Sequence, residues 1–316
     1  MEFRHLGRSG VQVSTLGLGT NNFGGRTDAE QSARVLHEAL DLGVNFVDTS
    51  NSYGDGRSEE FIGTAMVGHR HRAFLATKVG YPLGKSANQG GASRSHIMQQ
   101  VEVSLKRLRT DYVDLYQIHY PDPSTPIEET LRALDDLVHQ GKVRYIGCSN
   151  FAAWQICESV WTSRTLNLAS FVTVQMEYSL VNRDIEREVV PFCQTYQIGI
   201  IPFFPLASGL LTGKYRPGEP APEGSRFATT PRFKDRFQTE RNLALVGLLE
   251  RFARERGHSM TELAIAWLLG NPLVCSVIAG ATKPEQVVAN AKGSEWHLTL
   301  QEMTEVKGLL DKPSVV

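Results

Sequence analysis

Short apolar runs alternate with amphipathic, helix-like stretches from one end of this chain to the other, and that rhythm leaves few folds open. The runs cover residues 16–19, 44–47, 73–79, 113–119, 143–148, 171–176, 199–204 and 275–279. They are short and mainly apolar on both faces, the pattern of strands buried on both sides. The stretches between them carry apolar residues at helical spacing, as Ala33, Leu36, Ala39 and Leu40 do after Asp28. Parallel strands need crossovers of about a dozen residues or more, usually helices. Eight strand–helix units in 316 residues therefore favour an α/β (β/α)8 TIM barrel. Residues 2–14 alternate weakly around Gly7 and Gly10 and read as an N-terminal β-hairpin. Residues 208–238, rich in Pro, Gly and charge, read as a long loop insertion after strand seven. The insertion sits inside the repeat, so the expectation is a single barrel domain over residues 1–316.

The competing open, doubly wound sheet announces itself with G-x-G-x-x-G after its first strand. Here Gly17-Leu-Gly19-Thr20-Asn21-Asn22 breaks that pattern at its last position, and Gly80, Gly84, Lys85 and Ser86 fall one residue short of a phosphate-binding loop. A net charge of −1 gives no electrostatic footprint for nucleic acid or an anionic membrane. No apolar run approaches the roughly 18 residues of a membrane-spanning helix. The N-terminal segment has a carboxylate at Glu2 and no apolar core, so it reads as no signal peptide and the protein as cytoplasmic. Cys148, Cys157, Cys193 and Cys275 lack paired spacing, which argues against zinc or dithiol chemistry and for four buried, reduced thiols.

In a barrel of this kind the active site lies at the carboxyl ends of the strands. Asp48 closes strand two, Lys78 strand three and His119 strand four. Tyr53 follows Asp48 in a glycine-rich turn, exposed between polar neighbours. Arg57-Ser58-Glu59-Glu60 then opens a helix, with Ser58 as a candidate N-cap and the acidic residues in the first turn, where the helix dipole favours them. Each group alone has a plain reading: a turn carboxylate, a surface ring, a solvated lysine, a satisfied core imidazole. Together, on three neighbouring strands, they suit carbonyl reduction. Hydride arriving at a carbonyl carbon leaves an alkoxide, so a proton donor must be near. A phenol with a pKa near 10 is a poor donor around neutral pH unless an ammonium stabilises its anion. The expectation is Tyr53 as acid, Lys78 lowering its pKa, Asp48 anchoring Lys78, and His119 orienting the carbonyl oxygen. A lyase forming a Schiff base through Lys78 is the competing chemistry on the same barrel.

The segments Leu16–Thr20, Asn45 to Glu60 with its Asp48 and Tyr53, Ala76-Thr77-Lys78, Tyr112 to His119, Ile146 to Asn150, Val174 to Tyr178 and Pro205 to Tyr215 make the chain resemble an aldo-keto reductase over essentially its whole length. Leu210-Leu211-Thr212-Gly213-Lys214-Tyr215 and the insertion resemble the bacterial branch related to potassium-channel β subunits. The resemblance implies a (β/α)8 barrel without a Rossmann domain, a small-molecule carbonyl substrate, and NADP(H), with NAD(H) as the lesser alternative. It assigns the catalytic tetrad to Asp48, Tyr53, Lys78 and His119. It implies that Gly19, Thr20, Asn21 and Asp48 border the cofactor, and that Ser149, Asn150 and Gln175 hydrogen-bond the nicotinamide carboxamide. Phe203 would stack on that ring where the family has Tyr or Trp. Pro205, Leu206, Ser208, Gly209, Leu211 and Lys214 would wrap the pyrophosphate, with Arg226 reaching the cofactor from the insertion. Gly280, Thr282, Lys283, Gln286 and Asn290 would surround the adenosine end, Lys283 facing a 2′-phosphate. A cofactor-binding regulatory module with vestigial turnover is the other function the resemblance allows. The substrate pocket is expected from residues 80–92, 120–123, Trp154 and the insertion, with Phe23, Tyr53, Tyr81 and Tyr120 making it partly apolar. Oligomeric state stays open.

Overall fold

The computed structural model of the chain describes residues 1–84, 88–216 and 218–311; Lys85, Ser86 and part of the expected pocket loop lie outside the described residues. Among the described residues, ten strands form two sheets. The hairpin β1 (Phe3–His5) and β2 (Gln12–Ser14) pairs antiparallel. The eight barrel strands are β3 (Leu16–Gly19), β4 (Phe46–Asp48), β5 (Phe74–Val79), β6 (Val113–Ile118), β7 (Val143–Ser149), β8 (Thr173–Glu177), β9 (Gly199–Phe203) and β10 (Val277–Gly280). They are parallel and ordered β10-β3-β4-β5-β6-β7-β8-β9. A bridge between Ile200 and Val274 joins β9 to the chain entering β10 and brings the ring round. This is the (β/α)8 barrel with an N-terminal hairpin.

The strands' two faces explain the continuous apolar runs. Outward residues such as Val47, Leu75 and Tyr116 join the core beneath the helices. Inward residues follow a period of two. Phe46, Phe74, Ala76, Leu115, Ile201 and Ile278 pack together low in the barrel, with Leu6 and Val13 from the hairpin beneath them. Two residues further along the same inner face come Asp48 after Phe46, Lys78 after Ala76, Gln117 after Leu115 and Gln175 after Thr173. The barrel interior is thus apolar at the hairpin end and polar at the carboxyl end.

The helices agree with the expected order, with local corrections. Asp28 caps the helix Ala29–Asp41 by accepting from the Gln31 amide, and Ser93 caps Arg94–Leu108. The helix Ala153–Leu166 links β7 to β8. Between β8 and β9 the chain forms a 3-10 turn, Asp184–Glu186, followed by the helix Val189–Tyr196. The insertion is a loop only in part, since it contains the 3-10 segment Ala207–Thr212 and the helices Arg226–Thr229 and Pro231–Phe237. Aromatic stacking supports it: Phe204 meets Phe233, and Tyr215 stacks on Phe227 at 4.0 Å between centroids. The cysteines are free, but Cys157 is only half-buried. Among the described residues, no helix is long and apolar enough to cross a membrane.

Gly7 lets the hairpin close on the barrel. Its φ is +55°, and a Cβ there would collide with the Val172 carbonyl. Gly7→Ala combines a left-handed alanine with overpacking and is expected to cost about 2 kcal/mol. Chemical denaturation measures it; a stability equal to that of the parent would show that the hairpin seat is soft.

Candidate active site

The polar layer of the barrel centres on Lys78, which has no solvent exposure. Its ammonium donates to Asp48 Oδ2 at 2.6 Å, to the Thr49 carbonyl at 2.8 Å and to the Tyr53 hydroxyl at 3.4 Å. Burial, the largest single effect, would lower the Lys78 pKa; the Asp48 carboxylate and Tyr53 together outweigh it and hold the pKa above the usual lysine value. The other Asp48 oxygen accepts from Gln175 Nε2 at 2.9 Å and from Gln117 Nε2 at 3.3 Å. The Asp48 carbonyl accepts from the backbone and hydroxyl of Thr20.

Tyr53 starts a 3-10 turn, Tyr53–Gly56, whose last three residues all have positive φ: Gly54 at 57°, Asp55 at 58° and Gly56 at 91°. The turn swings the ring inward, so Tyr53 is half-buried, not exposed as its polar neighbours suggested. Its phenol is raised from the ordinary value of 10.0, first by burial. Lys78 pulls it down, as expected, but does not prevail against burial and the Asp48 charge. Ser58 is another correction. It lies inside the helix Arg57–Ala65, whose cap position is Gly56, and its hydroxyl donates to Thr20 and pairs with Thr49.

His119 lies edge-on to Tyr53, with ring centroids 5.9 Å apart, and stacks on Tyr120. Its Nδ1 is 3.2 Å from the Ser50 hydroxyl. Burial first, and then the Lys78 charge, pull its pKa down to about 3, so the imidazole is neutral near pH 7. Exposed Tyr81 and Tyr120 surround it at the mouth, 5.9 Å apart.

The remaining expected site residues fall into three groups. Ser149 and Asn150 sit beside the tetrad: Asn150 Nδ2 donates to the His119 carbonyl and to Ser149 Oγ, and Ser149 Oγ donates to the Gln175 carbonyl. Half-buried Phe203 ends β9 against Phe204. The second group is the segment Pro205, Leu206, Ser208, Gly209 and Leu211. Phe204, Ala207 and Ser208 all have left-handed backbone, costing of order 1–3 kcal/mol each. The Ser208 hydroxyl is buried without a partner among the described residues. A Cβ at Gly209 would meet Lys214 Nζ at 3.0 Å. A strained, glycine-containing turn with an orphaned hydroxyl and an adjacent ammonium fits an anionic ligand lying against its backbone. In the third group, Gly280 pairs in register with Gly19, and a Cβ on it would approach Asn22 and Asn21. Thr282 donates through its backbone amide to Gln286, exposed Lys283 precedes the helix Pro284–Gly293, and Asn290 is buried in that helix. Arg26, Arg34, Thr282 and Lys283 line a groove there, together with Asp28 and Glu285. Arg226 donates to Asn22 Oδ1 at 2.9 Å, and Arg26 to the Gly224 carbonyl at 2.7 Å, so the insertion crosses to the β3 loop at two points.

Sequence reasoning missed Gln117, although its inner-face spacing from His119 signalled it. It also missed Arg26 and Asn22, which no periodicity marks.

The aldo/keto reductase family model matches residues 15–311. A probable voltage-gated potassium channel β subunit of Oryza sativa is 40% identical, covering 92% of this chain and 90% of the relative. Aldo-keto reductase YhdN of Bacillus subtilis is 37% identical, covering 98% and 94%. L-glyceraldehyde 3-phosphate reductase of Escherichia coli is 34% identical, covering 92% and 87%.

The His119 pKa predicts an acid slope in stability. The unfolded chain takes up a proton near pH 6.5 that the folded chain refuses until about 3. Stability from this group is therefore fully present above pH 6.5 and falls by up to about 1.4 kcal/mol per pH unit below it. Denaturation series from pH 7 to 4 should show a shallower slope for His119→Asn; parallel slopes would contradict a buried neutral imidazole.

Proposed function

The chain belongs to the aldo/keto reductase family, and from that premise we propose that it reduces an aldehyde or ketone to an alcohol with NADPH, Tyr53 supplying the proton. The observation that carries the reading is the buried ammonium within hydrogen-bonding distance of both a carboxylate and a phenol. Bound nicotinamide would supply the hydride. The protein's own groups account for the rest. His119, neutral and held through Nδ1, presents Nε2 to the carbonyl oxygen and orients it. His119 holds no extra proton at neutral pH, so the acid is Tyr53. A raised phenol pKa keeps the proton on Tyr53 until an alkoxide, a much stronger base, develops beside it. The phenolate then formed is stabilised by Lys78, which Asp48 keeps charged. Lys78 as a Schiff-base nucleophile is disfavoured, because its ammonium is tied to Asp48 and the Thr49 carbonyl.

Ser149, Asn150, Gln175 and Phe203 would hold the nicotinamide. The Ser208–Gly209 turn with Lys214 would take the pyrophosphate, and Lys283 with Arg26 the adenosine end. The whole of residues 1–316 works as one domain in this reading. The free cysteines suit a reducing, cytoplasmic setting. The 40% identity to named potassium channel β subunits supports a second reading, a cofactor-sensing interaction module with slow turnover.

Oxidation of NADPH with a panel of reactive aldehydes separates the two. Tyr53→Phe is expected to lose reduction by at least about 100-fold while cofactor binding, followed by fluorescence quenching, is unchanged; turnover near the parent's would remove Tyr53 as the acid. NADPH is expected to bind more tightly than NADH, with Lys283→Ala narrowing the gap. A preference for NADH in the parent would reverse the cofactor assignment.

A further inference from the structure

Behind the reactive phenol lies a partly buried charge pair that the chemistry above does not use. Glu59 is fully buried in the helix Arg57–Ala65, and Arg107 reaches it from the end of the helix Arg94–Leu108, at 3.3 Å. The two helices come close because Gly63 has no side chain; a Cβ there would strike the Arg107 and Leu108 backbone. Glu59 also accepts from the Thr77 hydroxyl at 2.7 Å, one residue before Lys78 on β5. The same Arg107 nitrogen donates to the Asn51 carbonyl at 3.2 Å, and a Cβ on Gly56 would collide with the guanidinium. Asn51 is held again by its amide donating to the Lys78 carbonyl and its side chain donating to Gln100. Arg107 therefore touches the chain on both sides of Tyr53, two residues before it and three after, where the backbone passes through three consecutive left-handed residues.

We propose that Arg107, held by Glu59, is the positioning residue that keeps the Tyr53 turn wound and the phenol in reach of Lys78. The pair is ill suited to a purely stabilising role. A partly buried ion pair adds little stability of its own, whereas a left-handed Asp55 between two glycines, which are free to unwind, needs surroundings that hold it. One nitrogen of Arg107 serves Asn51 and Glu59 together, while the rest of the planar guanidinium lies flat under Gly56; a lysine keeps the charge but not that flat shape.

The inference rests on the reductase reading for its kinetic consequence, and its test separates the two. Arg107→Lys is the main variant, and Glu59→Gln, which keeps the Thr77 acceptor and removes the charge, is the second in case the first folds poorly. Expected for either is a fall in kcat of about 10- to 100-fold, cofactor Kd unchanged, and a larger solvent deuterium isotope effect as proton transfer becomes limiting. A loss of folded protein alone would lower yield and leave the isotope effect as it is. Tyrosine ring NMR reports the turn without turnover. Tyr53 should give one sharp signal in the parent and a broadened or doubled one in the variants. An unchanged Tyr53 signal overturns the proposal whether or not the parent turns over; a parent inert toward all aldehydes, with a disturbed Tyr53 signal in the variants, overturns the reductase reading and keeps the positioning role.

Discussion

An ammonium with no access to water is the constraint on which the mouth of this barrel depends. Stripping Lys78 of solvent costs several kcal/mol, which the 2.6 Å contact with Asp48 and the Thr49 carbonyl must offset. Removing either partner would strand a charge. Apolar replacements for both would be near neutral in stability. The pair is thus explained by what it does to its third neighbour, the phenol, more readily than by what it adds to the fold. Around it, β-strand alternation does the placing: the same inner face that packs Phe46, Phe74 and Leu115 low in the barrel delivers Asp48, Lys78 and Gln117 above them.

The electrostatics of Tyr53 came out with a different sign from a pairwise reading. An ammonium beside a phenol lowers its pKa in isolation, yet burial prevails. In the proposed reaction the transfer still runs downhill, because an alkoxide is a much stronger base than a phenolate. What matters is the difference between the resting phenol and the phenolate formed as charge moves, and Lys78 acts on the second state. The neutral imidazole of His119 fits the same logic, since a second cation in that small volume would oppose Lys78.

Much of this was legible beforehand. Strands apolar on both faces, eight times over, specify a barrel more strongly than any single motif, and a polar residue ending an apolar run marks the rim. What escaped were features set by tertiary contact. Ser58 has every local mark of a cap, but Thr20 and Thr49 claim its hydroxyl. Glu59 looked like a first-turn carboxylate serving the helix dipole and is instead buried against Thr77 and Arg107. Tyr53 looked exposed because nothing in a Tyr-Gly-Asp-Gly string reveals three left-handed residues in succession. The helices of the insertion were hidden by its proline and glycine content; they exist because Phe227, Phe233 and Phe237 bury themselves there.

Gln175 stands at a crossing. Its side-chain amide grips Asp48, while its backbone carbonyl receives Ser149, the residue next to Asn150 and His119. If the carboxamide of a dinucleotide is read at this spot, recognition and acidity share one side chain. Retooling that position for a different redox partner would then loosen the carboxylate, and with it the lysine and the phenol. On that reading selectivity and proton supply would not be separate dials, and a designer who wanted to turn one would do better to work at the adenosine end.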